Sequence, residues 1–213
     1  MQKAFKFPIP TPTPGSNGEI SYKPPNGNLV YYNQCDPQYA FGSCGKQNMT
    51  CHAGCGPTSV AEIIASYANS AFTPLDAMRI ASSLNGVDCA GSGVGTLKTI
   101  MSNYSKAQLH MTEDGFNLAG DFNQDAINLK PFIDSGQTIL AAASYQPCCG
   151  HWIWIVDIDN NYHILANDVY WFQPQYVGSA RAPMDLTAFM HGGYPYKGVY
   201  SIDVTGYMLV SKK

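Results

Sequence analysis

The stretch CHAGCGPTSVAEII, residues 51–64, decides the fold prediction because it places a cysteine between glycines where a helix begins. Pro57 suits a first helical turn, since its missing N–H would have no intrahelical partner there. Apolar side chains then recur at the spacing of one helix face: Val60, Ile63, Ile64 and Tyr67. The pattern predicts a helix that opens at Cys55 and buries this stripe in the core.

Cys55 has the setting of a nucleophile. The start of a helix carries the positive end of the macrodipole and unpaired backbone N–H groups, and both favour a thiolate. Gly54 and Gly56 allow a substrate backbone to approach closely, and the same N–H groups can stabilise an oxyanion. A cysteine taken alone is more often a small buried residue or half of a disulfide, so a nucleophile needs a matching base.

Of the five histidines, His151 is the best placed to be that base. It precedes WIWIV, residues 152–156, whose apolar residues on both faces predict a central strand. A central strand would hold the imidazole rigidly. His52 lies too close to Cys55 in sequence, in a predicted loop. The other histidines have no special neighbours: His110, His163 and His191.

The segment HWIWIVDIDNNYHILAND, which begins at His151, predicts a hairpin whose register selects a partner for the imidazole. A two-residue turn at 160–161 places His151 opposite Tyr170, with Asp168 as its diagonal neighbour on the same face. A turn one residue earlier places Asp168 directly opposite. In both registers Asn167 points away, and only an odd-length loop reverses this. Asp168 is therefore the predicted orienter of His151.

The rest of the chain predicts helices first and strands later. Thr73 caps a second helix that starts at Pro74 and ends at Gly86. Two further helices and two strands follow in the segments VGTLKTIMSNYS (94–105), NLKPFIDSG (128–136), QTILAAAS (137–144) and GVYSIDVTGYMLV (198–210).

The length and net charge of the chain limit the classes of function that it can have. A chain of 213 residues suits one domain, and a net charge of -3 offers no basic field for nucleic acid or an anionic membrane. No apolar run approaches the roughly 20 residues of a membrane span. Residues 1–28 contain FPIPTPTPGSNGE in place of a signal-peptide core. They indicate a Pro/Thr linker or a flexible N-terminus ahead of a domain at 29–213, which we take as monomeric by default.

Seven cysteines are many for this length. Setting Cys55 aside leaves six, enough for up to three disulfides, which indicates an oxidising, extracytoplasmic setting. Buried free thiols in a cytosolic protein are the alternative. The sequence contains no Cys-x-x-Cys pair of the kind that binds structural zinc. A short polar loop favours a Cys44–Cys51 bridge, and a bridge from Cys89 to the 148–149 pair would fix the segment before His151.

Three segments together resemble the papain-like cysteine peptidases of the bacteriocin-processing, double-glycine peptidase-like family: YYNQCDPQY, GCGPTSVA and GHWIWIVDIDNNYHILANDV. The resemblance covers roughly residues 30–205. It implies an α+β, papain-like fold, in which an N-terminal helical part containing the nucleophile helix packs on a C-terminal antiparallel sheet. It also implies the chain order Gln34, Cys55, His151, Asp168, with Gln34 as the oxyanion-hole donor. The family's proline after the aspartate is Val169 here, and the extra cysteines depart from its cytosolic, transporter-linked members.

The function expected from the resemblance is hydrolysis of amide bonds by Cys55, without metal or organic cofactor. Free-standing, cysteine-rich relatives resemble secreted or phage-borne enzymes, so peptides of bacterial peptidoglycan are the expected substrate. Processing of leader or secreted proteins, after Gly-Gly for example, is the alternative. An inactive binding module would lack the nucleophile, base or oxyanion residue, and all of these are present.

Overall fold

The computed structural model describes residues 6–8, 28–104, 109–113, 122–146, 149–170, 184–185 and 201–212, which form a mixed α+β structure. The helices are α1 Met49–Ala53, α2 Cys55–Tyr67, α3 Pro74–Ser83, α4 Val94–Tyr104 and α5 Phe122–Asp134, with a 3-10 turn at Pro37–Tyr39. The strands are β1 Lys6–Pro8, β2 Asn28–Val30, β3 Val87–Asp88, β4 Gly91–Ser92, β5 Leu109–Glu113, β6 Thr138–Gln146, β7 Cys149–Ile158, β8 Ile164–Asn167, β9 Met184–Asp185 and β10 Ser201–Lys212.

The main sheet has six antiparallel strands in the order β5-β10-β6-β7-β8-β9. Strand β7 is interior and its residues 153–158 are buried on both faces, as the apolar segment after His151 predicts. Helix α2 packs against β7 and α5 packs against β6 and β7. Strands β1 and β2 pair separately, and the rest of the predicted N-terminal linker lies outside the described residues.

Helix α2 is buried on nearly all its faces, which goes beyond the single apolar stripe predicted from sequence. Every residue from Cys55 to Ser66 is buried, including four polar ones: Thr58, Ser59, Glu62 and Ser66. Buried polar groups need partners, and three of these four bond to neighbouring segments: the Ser59 hydroxyl donates to the Trp152 carbonyl at 3.2 Å, while Glu62 and Ser66 accept backbone N–H groups. The helix therefore holds the segments around Val30, Tyr32 and Trp152 by side-chain hydrogen bonds.

Gly56, in the first turn of α2, allows neighbouring side chains to pack closely against the helix. A Cβ on Gly56 would collide with the Ser92 side chain and lie 2.9 Å from the Trp152 ring, so the residue after Cys55 has no room for a side chain. Helix α3 begins with the predicted cap, since Thr73 and Asp76 form a reciprocal capping box.

Two helix ends predicted from sequence are wrong. Helix α3 ends at Ser83 rather than at the predicted Gly86, and the residue that takes the left-handed conformation after it is Asn85, with φ 53°. Asparagine tolerates this conformation, and the glycine is needed because a Cβ there would collide with Thr96. Helix α5 begins at Phe122, ahead of the predicted start at 128, and contains Pro131.

The β7–β8 hairpin reaches the predicted side-chain alignment by an unpredicted route. Its loop is odd: Tyr162 N–H bonds Asp159 C=O at 3.0 Å, Tyr162 has φ 62°, and Asp159 N–H bonds His163 C=O. The Asp159 carboxylate accepts the N–H groups of Asn161 and His163, which favours this turn over the predicted two-residue turn. By itself this odd loop would place Asn167, rather than Asp168, on the sheet face of His151.

A bulge in β7 cancels the effect of that loop. Ile158 pairs with Ile164, but beyond a register shift between Ile155 and Asp157 the partners are Ile155 with Ala166 and Trp154 with Asn167. One extra residue in one strand changes the alignment by one position. Continued from there, the alignment places His151 opposite Tyr170 with Asp168 on the same face, as the 160–161 turn predicted.

Two disulfides occur among the described residues, Cys35–Cys51 and Cys44–Cys89. The prediction that at least one pair is bridged is confirmed, and both predicted pairings are wrong. The preference for Cys44–Cys51 rested on a short loop, yet loop-closure entropy rises only slowly with loop length and geometry decides. Cys44 is engaged in a tight turn with Gln47, while α1 carries Cys51 beside Cys35.

Candidate active site

The structure brings the predicted nucleophile, base and orienter together at the junction of α2 and β7. His151 Nε2 lies 2.8 Å from Asp168 Oδ1, and the other imidazole nitrogen, Nδ1, is left to serve the hydrogen bond between His151 and the Cys55 thiol. All three residues are buried. Among the cysteines whose side chains the structure describes, Cys55 is also the one that remains a free thiol.

The electrostatics of this cluster favour an ion pair. Burial alone would raise the pKa of Cys55, but the hydrogen bond and charge of His151 and the backbone N–H groups of Trp152 and Gly56 lower it below its ordinary value. Burial alone would lower the pKa of His151, but the charge and hydrogen bond of Asp168, helped by Cys55, raise it to about 10. The two shifts agree in favouring thiolate and imidazolium.

Asp168 is held firmly on the far side of the imidazole. Its Oδ1 also accepts the Tyr170 N–H at 2.8 Å, and its backbone carbonyl accepts the Tyr31 hydroxyl at 3.1 Å. The Tyr170 ring meets the His151 ring edge-on, with centroids 6.2 Å apart. The bond from Tyr170 holds Asp168 Oδ1 in place as an acceptor, which favours a proton on the facing Nε2 of His151.

Gln34 contacts the residue after Asp168 through its backbone and the helix before Cys55 through its side chain. Its backbone N–H donates to the Val169 carbonyl at 2.9 Å, on the side of Asp168. Its side-chain amide Nε2 donates to the Cys51 carbonyl at 2.7 Å, on the side of Cys55. The side chain is 2% exposed. The amide nitrogen has two hydrogens, so one remains after the bond to Cys51.

Sequence reasoning placed Tyr170 opposite His151 without giving it a role, and it missed Glu62 altogether. The role of Tyr170 is its N–H, which donates to the same Asp168 oxygen that contacts His151. Glu62 carried a signal that was available: a charged residue in the middle of an apolar helix is almost never buried without a partner. It is fully buried, and its carboxylate accepts the Tyr32 N–H at 2.8 Å.

The remaining histidines stay apart from this cluster or cannot be described. His52 lies on α1 rather than in the predicted loop, is exposed, and contacts Gln47. His163 contacts Asp159 at 3.4 Å in the hairpin loop. His191, Cys148 and the side chains of His110 and Cys149 lie outside the described residues.

No group of three or more His, Cys, Asp or Glu side chains in the described ranges could hold a metal ion. None of the described helices combines the length and hydropathy that a bilayer crossing requires. Comparison with known proteins adds no relative, since neither a protein-family model nor a curated protein matches the sequence.

Proposed function

We propose that this chain is a cysteine peptidase with a papain-like fold, in which Cys55 is the nucleophile, His151 the general base and acid, and Asp168 the orienter. One observation carries the proposal: a free thiol at the first residue of a buried helix is hydrogen-bonded to an imidazole whose other nitrogen is bonded to a buried carboxylate. A nucleophile, a base and an orienting group in series are the signature of covalent acyl transfer.

The proposed reaction proceeds in two halves. The Cys55 thiolate attacks the amide carbonyl carbon, and the oxyanion is held by the Gln34 amide and the backbone N–H of Cys55. The C–N bond then breaks, His151 gives its Nδ1 proton to the leaving amine, and a thioester remains. His151 next removes a proton from water, which attacks the thioester, releases the acid and restores the ion pair.

The proposed substrate is a peptide of bacterial peptidoglycan. Support comes from Cys35–Cys51 and Cys44–Cys89, because disulfides persist in extracytoplasmic compartments, where cell walls are found. The proposed localisation is accordingly extracellular or in the cell envelope. The alternative drawn from the family resemblance is processing of leader or secreted proteins, and the same disulfides count against a cytosolic form of that activity.

The test compares two substrates and one variant. Purified peptidoglycan and a leader peptide containing Gly-Gly are incubated with the protein and with Cys55→Ala, and new amino groups are measured. We expect the native protein to release amines from peptidoglycan and the variant to release none, with mass spectrometry of the fragments identifying the bond. Cleavage of the leader peptide alone would transfer the proposal to processing. Equal activity of the variant would refute a thiol mechanism.

A further inference from the structure

In residues 30–34, every second backbone N–H group donates a hydrogen bond to a different part of the chain. The Val30 N–H donates to Ser66 Oγ at 2.9 Å, and the Tyr32 N–H donates to Glu62 Oε1 at 2.8 Å. The Gln34 N–H donates to the Val169 carbonyl at 2.9 Å. We call residues 30–34 the tether segment.

The first two bonds match the spacing of an extended chain to that of a helix. Alternate residues of an extended chain are roughly 6.6–6.8 Å apart, and residues four apart on a helix are about 6 Å apart along its axis. Glu62 and Ser66 are four apart on α2, so their side chains can accept from every second residue. The tether segment thus follows α2 from its last turn towards its first, where Cys55 lies.

Glu62 supplies the carboxyl acceptor among these bonds and is the acceptor closer to Gln34. Burying a carboxyl group is costly unless its hydrogen bonds are good. Glu62 is fully buried, and its bond to the Tyr32 N–H offsets part of that cost. Its bond lies two residues from Gln34, on the opposite side from the Cys35–Cys51 bridge.

We propose that Glu62 is a positioning residue: by holding the Tyr32 N–H it sets the place of the Gln34 amide, the proposed oxyanion donor to the Cys55 reaction. The inference rests on the proposed function, because Gln34 has an oxyanion to bind only in a thiol peptidase. An oxyanion donor works over a narrow range of distance, about 2.7–3.1 Å, and a misplacement of about 1 Å can cost about 100-fold in rate. Loosening Tyr32 would therefore lower kcat while leaving substrate binding intact.

The test measures kcat and KM on muramidase-solubilised peptidoglycan fragments for Glu62→Met and Glu62→Gln. Methionine leaves the Tyr32 N–H without its acceptor, and we expect kcat to fall about 10–100-fold with KM within about twofold. Glutamine keeps an acceptor oxygen, so it should retain at least roughly a third of kcat. Ser66→Ala is the matched control: it removes the bond to Val30, four residues from Gln34, and should change kcat less than about twofold.

A double-mutant cycle separates positioning from general damage. Gln34→Ala should lower kcat about 10²–10³-fold, and adding Glu62→Met to it should cause less than about a twofold further loss, since the two act through one group. A full further loss in the double variant would overturn the inference, as would native kcat in Glu62→Met. If Glu62→Met does not fold, Glu62→Asp keeps the carboxyl group with a shorter reach, and native kcat in that variant overturns the inference equally.

Failure of the inference is distinguishable from failure of the proposed function. If Gln34→Ala has native kcat while Cys55→Ala is inactive, the peptidase assignment stands and the positioning role is refuted. If the native protein releases no amines from peptidoglycan fragments or from the Gly-Gly leader peptide, and iodoacetamide does not alkylate Cys55 preferentially, the proposed function itself is refuted and the inference with it.

Discussion

The two disulfides should contribute to stability and to activity in opposite order. Each is removed by a double substitution that leaves no unpaired thiol: Cys35→Ser with Cys51→Ser, and Cys44→Ser with Cys89→Ser. The bridges span 16 and 45 positions of sequence. In the chain-entropy account, loss of a bridge that closes a loop of this size costs about 3 kcal/mol for the shorter span and about 4 kcal/mol for the longer one.

The expected effect on activity follows from what each bridge holds. Cys35 is adjacent to Gln34. The backbone carbonyl of Cys51 accepts the hydrogen bond from the Gln34 side-chain amide, with Nε2 and O 2.7 Å apart. Loss of this bridge frees both ends of that contact, so we expect kcat to fall about 10–100-fold, part of the effect of losing an oxyanion donor. Loss of Cys44–Cys89 loosens a hairpin that the Trp152 side chain also holds through the Ser92 carbonyl, and kcat should stay within about fivefold.

The assay pairs thermal unfolding with turnover on solubilised peptidoglycan fragments. The Cys44–Cys89 variant should have the lower Tm, by about 2–4 °C for a difference near 1 kcal/mol, and the Cys35–Cys51 variant the lower kcat at 25 °C. If the less stable variant is also the less active one, the activity loss reflects general loosening, and the reasoning about Gln34 is refuted.

Three further outcomes are expected. Cys55→Ala should abolish hydrolysis with Tm nearly unchanged, and iodoacetamide should label Cys55 in the native protein while the bridged cysteines stay unlabelled; an active variant contradicts the mechanism. Asp168→Ala should lower kcat more than Asn167→Ala, and by less than the roughly 10⁴-fold of serine-type triads, because, against burial, His151 lowers the pKa of the Cys55 thiol and so favours the thiolate; the reverse order would place Asn167 beside His151. Against burial, Asp168 and Cys55 raise the pKa of His151 to about 10, so kcat/KM should decline on the alkaline side near that pH as the imidazolium loses its proton. Asp168→Asn removes a negative charge that favours the imidazolium, so this limb should move to lower pH, and an unmoved limb would show that another group titrates.

Local patterns were enough to identify the elements that hold the candidate site. The cysteine between glycines, Pro57 and the apolar residues after it predicted a helix starting at Cys55, and the helix starts there. The apolar segment after His151 predicted an interior strand, and β7 is interior. Such signals depend on residues close in sequence, whose conformation is set by sterics, hydrogen bonding and side-chain period.

The hairpin shows how a prediction can reach the right contact through compensating errors. The Asp159 side chain favours an odd loop, and the bulge at β7 restores the alignment. A turn residue can indicate a loop, but a bulge arises from the packing of a whole strand between its neighbours. The contact between His151 and Asp168 was therefore predicted, while the odd loop and the bulge that together produce it were not.

By itself the sequence determined the helix that presents Cys55, the strand that carries His151 and the excess of cysteines, because each depends on neighbouring residues or on composition alone. Only the tertiary structure decided which cysteines are bridged and that Glu62 lies in the core bonded to Tyr32. These facts join positions 16 to 45 residues apart. The cost of closing loops of that range varies too slowly with length to select one partner over another, so the selection falls to the packing of the folded chain.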